Sequence, residues 1–412
     1  MTVYSPASSL GWLDFDAAAA DRVATLIRAL QEPSTLDVLG LGTVVTTLSD
    51  MLHPGTSYVH TKLRYLMFVP WILQGLEAEG VGPGDFRRRL RDDEARLIDC
   101  LRHLGPGQGV IGYWAGRNLK RMPSSIYWGS LWDWGIRRLP LSLGEYAQRA
   151  AAYGRYRAAR DDDGNVTDTT DSLWAPLPPP PENFLRADLD LELRGDEAWA
   201  LVDNIRYRHP KTLLAALCAN PGIAAHCTYP WDIPENAVQE PVAGTLRHAR
   251  CFSELTAGPQ HTYNFLVARR AHQELRRDTE QVEQGQLRHL QRWVDLVERR
   301  RGELRAWVDD LPTFWELLDR NRRSPVNHGT RDFITKIVEM AVNNPGGFRD
   351  DPTIHEQVCH REIRLKGRRA RLGTRAALEN WHGAPVGGQH TYRWSIAKGY
   401  LGEIAAALGT DA

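Results

Sequence analysis

Cysteine is sparse in this 412-residue chain: five stand at positions 100, 218, 227, 251 and 359, and no two form a CxxC pair. That excludes a disulfide framework and a zinc-ribbon spacing, and it fits reduced thiols in a cytoplasm. Net charge is lacking too, because 51 Lys plus Arg balance 51 Asp plus Glu. A neutral chain has no global field to draw in a polyanion, so any nucleic-acid role must come from local patches. Long hydrophobic runs are missing. The most apolar stretch, Leu63 to Leu76, is short and contains Arg64, Tyr65, Pro70 and Gln74, whereas a bilayer span needs about 20 apolar residues. The start, MTVYSPASSLGWLDFD, has no basic segment followed by an apolar one, so no signal peptide is expected. These absences together predict a cytoplasmic chain without membrane contact.

Catalytic signatures are equally scarce. No GxxxxGK[ST] loop or GxSxG elbow occurs, and the lone GxGxxG match, Gly107 to Gly112, follows helical periodicity and not a strand, so neither an ATPase, a dinucleotide site nor a serine hydrolase is signalled. His60-Thr61-Lys62 begins like the HxK motif of phospholipase-D-type phosphodiesterases, but the acidic residue needed five positions after the lysine is Met67. Glu362, Arg364 and Lys366 resemble part of a nuclease's acid-x-Lys element with the wrong spacing. His355 and Cys359 are four apart and would share a helix face, with His226 and Cys227 as conceivable further zinc ligands. A buried thiol beside surface histidines is the preferred reading. No catalytic residue, cofactor or metal is therefore predicted.

What is present is mostly helical periodicity. Asp14 or Asp16 can cap a first helix on which Val23, Leu26, Ile27 and Leu30 repeat, ended by Pro33. A second helical stretch runs from about Ser57 through Gln74, with a kink or break expected near Pro70. Phe86, Leu90, Leu97, Ile98 and Leu101 mark a third, with Arg87, Arg88, Arg89 and Arg91 on its other face. Residues 158–183 hold a charge run, a polar run and four consecutive prolines, which reads as a linker or long loop. This predicts an N-terminal helical domain over 1–157 and a C-terminal one over 184–412. In the latter, Ala198, Leu201, Val202 and Ile205 mark a helix. Leu287, Leu290, Val294, Val297, Leu304, Val308 and Leu311 suggest a long helix near 263–311 packed in an antiparallel bundle. Further helices are marked by Phe333 to Ala341 and by Ile396 to Leu408. No alternating runs imply a large sheet, so the expected fold is mainly α, multi-helix and two-part, with at most small β elements near 220–260.

Two basic segments rise above this background. GYWAGRNLKRMPSSIYWGSLWDWGIRR, Gly112 to Arg138, places Arg117, Asn118, Lys120 and Arg121 before a Pro-Ser-Ser turn and closes on Arg137 and Arg138. Tyr127, Trp128, Trp132 and Trp134 lie between. Cations neutralise phosphates, and aromatic faces stack on unpaired bases. Tryptophans so spaced more often pack a core, so the Arg-Asn-Leu-Lys-Arg run is the functional candidate. REIRLKGRRARLGTR, Arg361 to Arg375, sets Arg361, Arg364, Lys366, Arg368, Arg369, Arg371 and Arg375 against one acid, Glu362. On a continuous helix, Arg361, Arg364, Arg368, Arg371 and Arg375 form one basic stripe, which repels itself unless an anion or acidic partner covers it. Gly367 weakens such a helix without necessarily breaking it. Lys62 and Arg64 are secondary phosphate candidates.

SLGWLDF at Ser9 to Phe15, LHPGTSYVHTKLRYLMFVPWI at Leu52 to Ile72, and GVIGYWAGRNLKRMPSSIYWGSLWDWGIRR at Gly109 to Arg138 resemble an uncharacterised bacterial family, the domain of unknown function numbered 6361. REIRLKGRRARL is similar to the family near its C-terminus, so the resemblance spans nearly the whole chain. The resemblance implies an association with helicases and phospholipase-D-like nucleases in anti-phage defence clusters. Three readings follow. The first is a non-catalytic subunit of a defence or DNA-processing complex, with DNA or RNA and a helicase or nuclease as partners. The second is a protein scaffold without nucleic-acid contact. The third is a phosphodiester-acting enzyme, for which Asp203, His209, Glu254 and His261 are scattered candidates.

Overall fold

The computed structural model describes residues 37–158, 172–322 and 325–409. The predicted helix around Val23 to Leu30 and part of the 158–183 segment lie outside the described residues. In chain order the helices are α1 (Gly42–Leu52), α2 (Tyr65–Ala78), α3 (Pro83–Leu101), α4 (Pro123–Asp133), α5 (Leu143–Ala158), α6 (Gly195–Arg208) and α7 (Leu213–Leu217). They continue as α8 (Val242–Leu275), α9 (Glu280–Arg299), α10 (Arg301–Asp309), α11 (Leu311–Asn321), α12 (His328–Asn343), α13 (Pro352–Lys366), α14 (Arg375–Glu379) and α15 (Trp394–Leu408). Short 3₁₀ turns join several of them. The only β feature among the described residues is an isolated bridge between Arg137 and Trp174. The fold is mainly α, and the 220–260 region, which left room for at most small β elements, holds 3₁₀ turns and the start of α8.

The chain forms two compact units at boundaries other than 158–183. Of the described residues, unit 1 takes 53–158, 172–227 and 393–409; unit 2 takes 37–52, 228–322 and 325–392. The Pro-rich stretch does not separate them, because its described part is built into unit 1: Leu173 and Trp174 are buried, and Trp71 Nε1 donates to Pro178 O at 2.8 Å. The C-terminal α15 also returns to unit 1, where it packs on α6.

Unit 1 is organised round α2. Every residue from Tyr65 to Leu73 is buried, as expected of a helix that is apolar all round. The helix starts at Tyr65, not near Ser57, and runs through Pro70 to Ala78 without breaking. α3, α4 and α5 pack against it. The preceding residues are fixed by polar contacts. His60 stacks on Tyr127 with ring centroids 4.3 Å apart, and its Nδ1 meets the Tyr400 hydroxyl at 2.5 Å. The Tyr127 hydroxyl accepts from Thr61 N and Lys62 N and donates to Lys62 O.

Unit 2 is organised round α8, which packs against α1, α9, α10, α12, α13 and α14. It also carries an internal proline, Pro259. The single long helix expected near 263–311 is instead a broken series. Arg276 adopts a left-handed conformation (φ 54°) that ends α8, and α9 begins at Glu280. The seam on α9 is Gln286, Leu290, Trp293 and Val297. Trp293 packs so tightly that a Cβ on Gly258 would lie 2.4 Å from its ring.

One face of α8 replaces a neighbouring strand. Asn264 Nδ2 donates to Val386 O and Asn264 Oδ1 accepts from Val386 N, at 2.8 and 3.0 Å. Gln260 makes the same double contact with Gly388 at 2.9 and 3.1 Å. Ser253 repeats it with His390 at 3.0 and 2.8 Å. Alternate residues of this irregular segment are thus tied, N–H and C=O together, to side chains one to two turns apart. The ties satisfy backbone groups that a segment outside any sheet would otherwise leave unpaired.

Candidate nucleic-acid interface

In unit 1 the Arg117 segment is a surface turn held from beneath. Residues Gly116–Asn118 form a 3₁₀ turn. Arg91 on α3 donates to Arg117 O and Leu119 O, both at 2.9 Å, while Leu119 and Met122 are buried as anchors. α4 then starts on Pro123, and the buried Glu94 carboxylate accepts from Ser124 N at 2.6 Å. Burial pushes Glu94 up to about 7. Arg117, Asn118, Lys120 and Arg121 all face solvent. Arg117 lies 4.0 Å from Asp99, a weak exposed pair. Lys120 and Arg121 form no ion pair among the described residues. Tyr127 and Trp134 are fully buried, whereas Trp128 and Trp132 are half-buried.

The secondary candidates in unit 1 are committed internally. Arg64 is buried and forks onto Glu197, with Nε 3.0 Å from Oε2 and Nη2 3.1 Å from Oε1, and it also meets Asp190. Lys62 pairs with Glu403 at 3.6 Å. His60 is buried, and burial lowers it to about 4, so it stays neutral in ordinary buffers.

In unit 2 the predicted basic stripe is not one helix. α13 ends at Lys366 because Gly367 takes φ 52° and ψ −120°, a conformation that favours glycine, and a 3₁₀ turn over Gly367–Arg369 follows. The seven cations therefore separate. Arg361, Lys366 and Arg371 are buried. Arg361 donates to Leu39 O, Gly329 O and Thr330 Oγ1 at 2.7 to 2.9 Å. Arg364, Arg368 and Arg369 are exposed and form no ion pair among the described residues. Arg375 is exposed but sits 3.2 Å from Glu379. Glu362, the acid within the run, is fully buried. It accepts from the Tyr263 hydroxyl, Arg371 N and Leu372 N at 2.8 to 3.0 Å, so it fixes the turn that carries Arg368 and Arg369.

The scattered acid–base candidates do not form a set. Asp203 and His209 belong to unit 1, and Glu254 and His261 to unit 2. His209 Nε2 meets Asp133 O. Glu254 is paired with Arg250 and Arg300, and His261 Nδ1 bonds Gln286 Oε1 at 3.0 Å. His355 and Cys359 lie in unit 2 and His226 and Cys227 in unit 1, and no cluster of three metal-ligating side chains occurs among the described residues. No helix among them is long and apolar enough to cross a membrane.

Sequence reasoning missed the end of α6. Arg206, Tyr207 and Arg208 are exposed there, Tyr207 to 89%. The criterion applied to Gly112–Arg138, cations interleaved with aromatics, is also met by IRYRHPK at 205–211.

Fold and surfaces together define a mainly α protein of two units, each presenting an exposed cationic turn that is locked from below. Within that class the chain belongs to the family of unknown function DUF6361, whose family model matches residues 7–408. No curated protein and no solved structure matches the chain.

Proposed function

We propose that the protein is a non-catalytic, nucleic-acid-associated subunit of a bacterial antiviral-defence or DNA-processing complex, with a helicase or nuclease as protein partner. One observation carries the reading. Lys120 and Arg121 in unit 1, and Arg368 and Arg369 in unit 2, stand exposed on or beside short turns and form no ion pair with a described residue. Several exposed arginines on helices take a neighbouring carboxylate, as Arg88 does with Asp85, Arg96 with Asp93, Arg301 with Glu298 and Arg320 with Glu316, while others, such as Arg87, Arg288 and Arg299, also form no ion pair with a described residue. Ordered cations left without counter-charge suit phosphates, which arginine binds with a planar two-donor fork. The reading is tested by mobility shift of DNA and RNA at low salt. Lys120→Glu with Arg121→Glu is expected to weaken binding uniformly across sequences and to lower the log–log salt slope by about 1 for each phosphate no longer neutralised. Absence of any shift, by the chain or its complex, overturns it.

A second reading, a scaffold for an acidic protein surface, is supported by Ile363 and Leu365, which are 39% and 40% exposed beside Arg364. Apolar side chains flanking cations suit a protein partner better than a phosphate backbone. Association that survives high salt favours this reading over the first.

A further inference from the structure

Unit 1 holds a feature that the basic turns do not use. A pocket of about 460 Å³ opens between the turn after α4, the Ala175–Pro176 segment and the last turn of α6. Its walls include Arg137, Arg138 and Arg208 with Trp132, Asn204 and Tyr207, and carry no carboxylate.

Arg137 is the informative member. It is only 4% exposed and has no carboxylate in ion-pair reach among the described residues; Asp133 acts on it from farther away. The guanidinium is held by Leu139 O and Leu141 O and lies over the Trp128 ring, 4.3 Å from its centroid. Its Nε has no hydrogen-bond partner. Burial lowers its pKa to about 10, so it remains charged at neutral pH. A buried charge whose nearest carboxylate stands outside ion-pair reach gains from an anion that comes closer. Arg138 and Arg208 are exposed at the same pocket, without ion pairs among the described residues, and Arg208 lies 5.1 Å from the Trp132 ring centroid. Tyr207 is 89% exposed, so an aromatic face stands free where a base could lie on it.

We propose that this pocket takes one unpaired nucleotide of a single-stranded nucleic acid. The phosphate meets Arg138 and Arg208, the buried Arg137 charge supplies the field behind them, and the base stacks on Tyr207. The pocket volume suits a small ligand, and only an unpaired base offers its face for stacking. A duplex presents base edges instead. The inference rests on the proposed nucleic-acid association but uses different residues.

The test is anisotropy of the full chain with a labelled single strand and a labelled duplex. Competitors are a nucleoside monophosphate, inorganic phosphate and polyglutamate. Arg138→Ala, Arg208→Ala and Tyr207→Ala all alter exposed side chains. Each is expected to weaken single-strand binding roughly tenfold while duplex affinity stays within about twofold, and the monophosphate is expected to outcompete phosphate. Unchanged single-strand affinity in the three variants overturns the proposal. So does equal loss on the duplex, or polyglutamate competing as well as the strand. If the arginines only answer the carbonyl end of α6, their variants melt earlier with single-strand affinity retained, and Tyr207→Ala is silent; that outcome also overturns it. A parent chain that binds duplex and not single strand overturns the pocket and leaves the proposed function standing. Loss of all binding in Lys120→Glu with Arg121→Glu, pocket intact, supports the function apart from the pocket.

Discussion

Unit 1 and unit 2 each surround a helix with an internal proline, Pro70 in α2 and Pro259 in α8, yet they fill the space differently. Rings on α2 are met by rings from elsewhere in the unit: Tyr65 by Tyr127, and Phe68 and Trp71 by Phe184. α8 buries Ser253, Gln260, Thr262 and Asn264, and three of these hold the backbone of the 386–390 segment. Aromatic packing is strong but needs no partner of fixed register. A side-chain ladder to backbone specifies register, because each amide must meet one N–H and one C=O. Unit 1 thus places turns by packing, and unit 2 places an irregular segment by hydrogen bonds.

The largest effect that separates the units is expected from their buried ion pairs. Arg64→Ala leaves Glu197, 3% exposed, as a buried carboxylate without its cation. A loss of about 3–5 kcal/mol is expected, read by denaturant unfolding, with hydrogen exchange accelerating first in α6. Arg300→Ala removes one of the two cations of Glu254 in unit 2 and leaves Arg250 in place, so a smaller loss is expected, with acceleration first in α8 and α9. Similar protection patterns in the two variants would show that the units do not fail separately.

Acid sharpens the contrast. The folded pKa of His60 lies near 4 against an ordinary 6.5, so the stability it contributes is complete above about pH 6.5 and is lost as pH falls through 4. A shift of that size is worth about 3 kcal/mol. Burial lowers His390 in unit 2 to about 4 as well, but the residue as a whole is only half-buried, so a smaller contribution is expected. Glu94 works in the other direction: raised to about 7 from 4.5, it contributes fully below pH 4.5, and that contribution is lost as pH rises through 7. Stability measured from pH 4 to 8 is expected to flatten at the acid end in His60→Phe and at the alkaline end in Glu94→Gln.

Next in size is the ladder. Gln260→Ala strips Gly388 of both partners, and about 2 kcal/mol is expected to be lost. Gly387→Ala tests the same place sterically, because Gly387 has φ +81° and an added Cβ would lie 2.0 Å from Gln260 Oε1. If both variants melt like the parent, the ladder does not hold unit 2 together.

Much of this was legible as helix and little of it as arrangement. The apolar positions Phe86, Leu90, Leu97, Ile98 and Leu101 are the buried face of α3, and Ile334, Ile337 and Val338 are that of α12, because 3.6-residue periodicity reports burial directly. The α8–α9 break was hidden because Arg276 to Thr279 contains neither glycine nor proline, and a left-handed arginine leaves no compositional mark. The ladder was hidden because Ser253, Gln260 and Asn264 read as ordinary polar positions until the chain near residue 388 is brought beside them. The two units were hidden because α1 and α15 cross the order of the sequence. At the candidate surface, the exposed Arg117 turn follows from its polarity, whereas the inward turn of Arg371 depends on Gly367 ending α13, and that of Arg361 on Leu39, Gly329 and Thr330, which are distant in sequence.

The smallest expected stability effect belongs to Arg368 and Arg369, and its smallness is the point. Both are exposed and neither pairs with a described residue, and the turn beneath them is held by Glu362 through backbone N–H groups, not through these side chains. Arg368→Glu with Arg369→Glu is therefore expected to change unfolding free energy by no more than about 0.5 kcal/mol. The same double reversal is expected to lower nucleic-acid affinity and its salt slope, since two donors of phosphate forks become two repelling charges. Its counterpart inside the run, Glu362→Gln, breaks the support instead: one oxygen becomes a donor facing Arg371 N or Leu372 N, and stability is expected to fall by about 1–3 kcal/mol. If reversal of Arg368 and Arg369 costs as much stability as Glu362→Gln, the turn is structural throughout and unit 2 has no phosphate surface there. If reversal leaves both stability and affinity unchanged, nucleic acid is met by unit 1 alone.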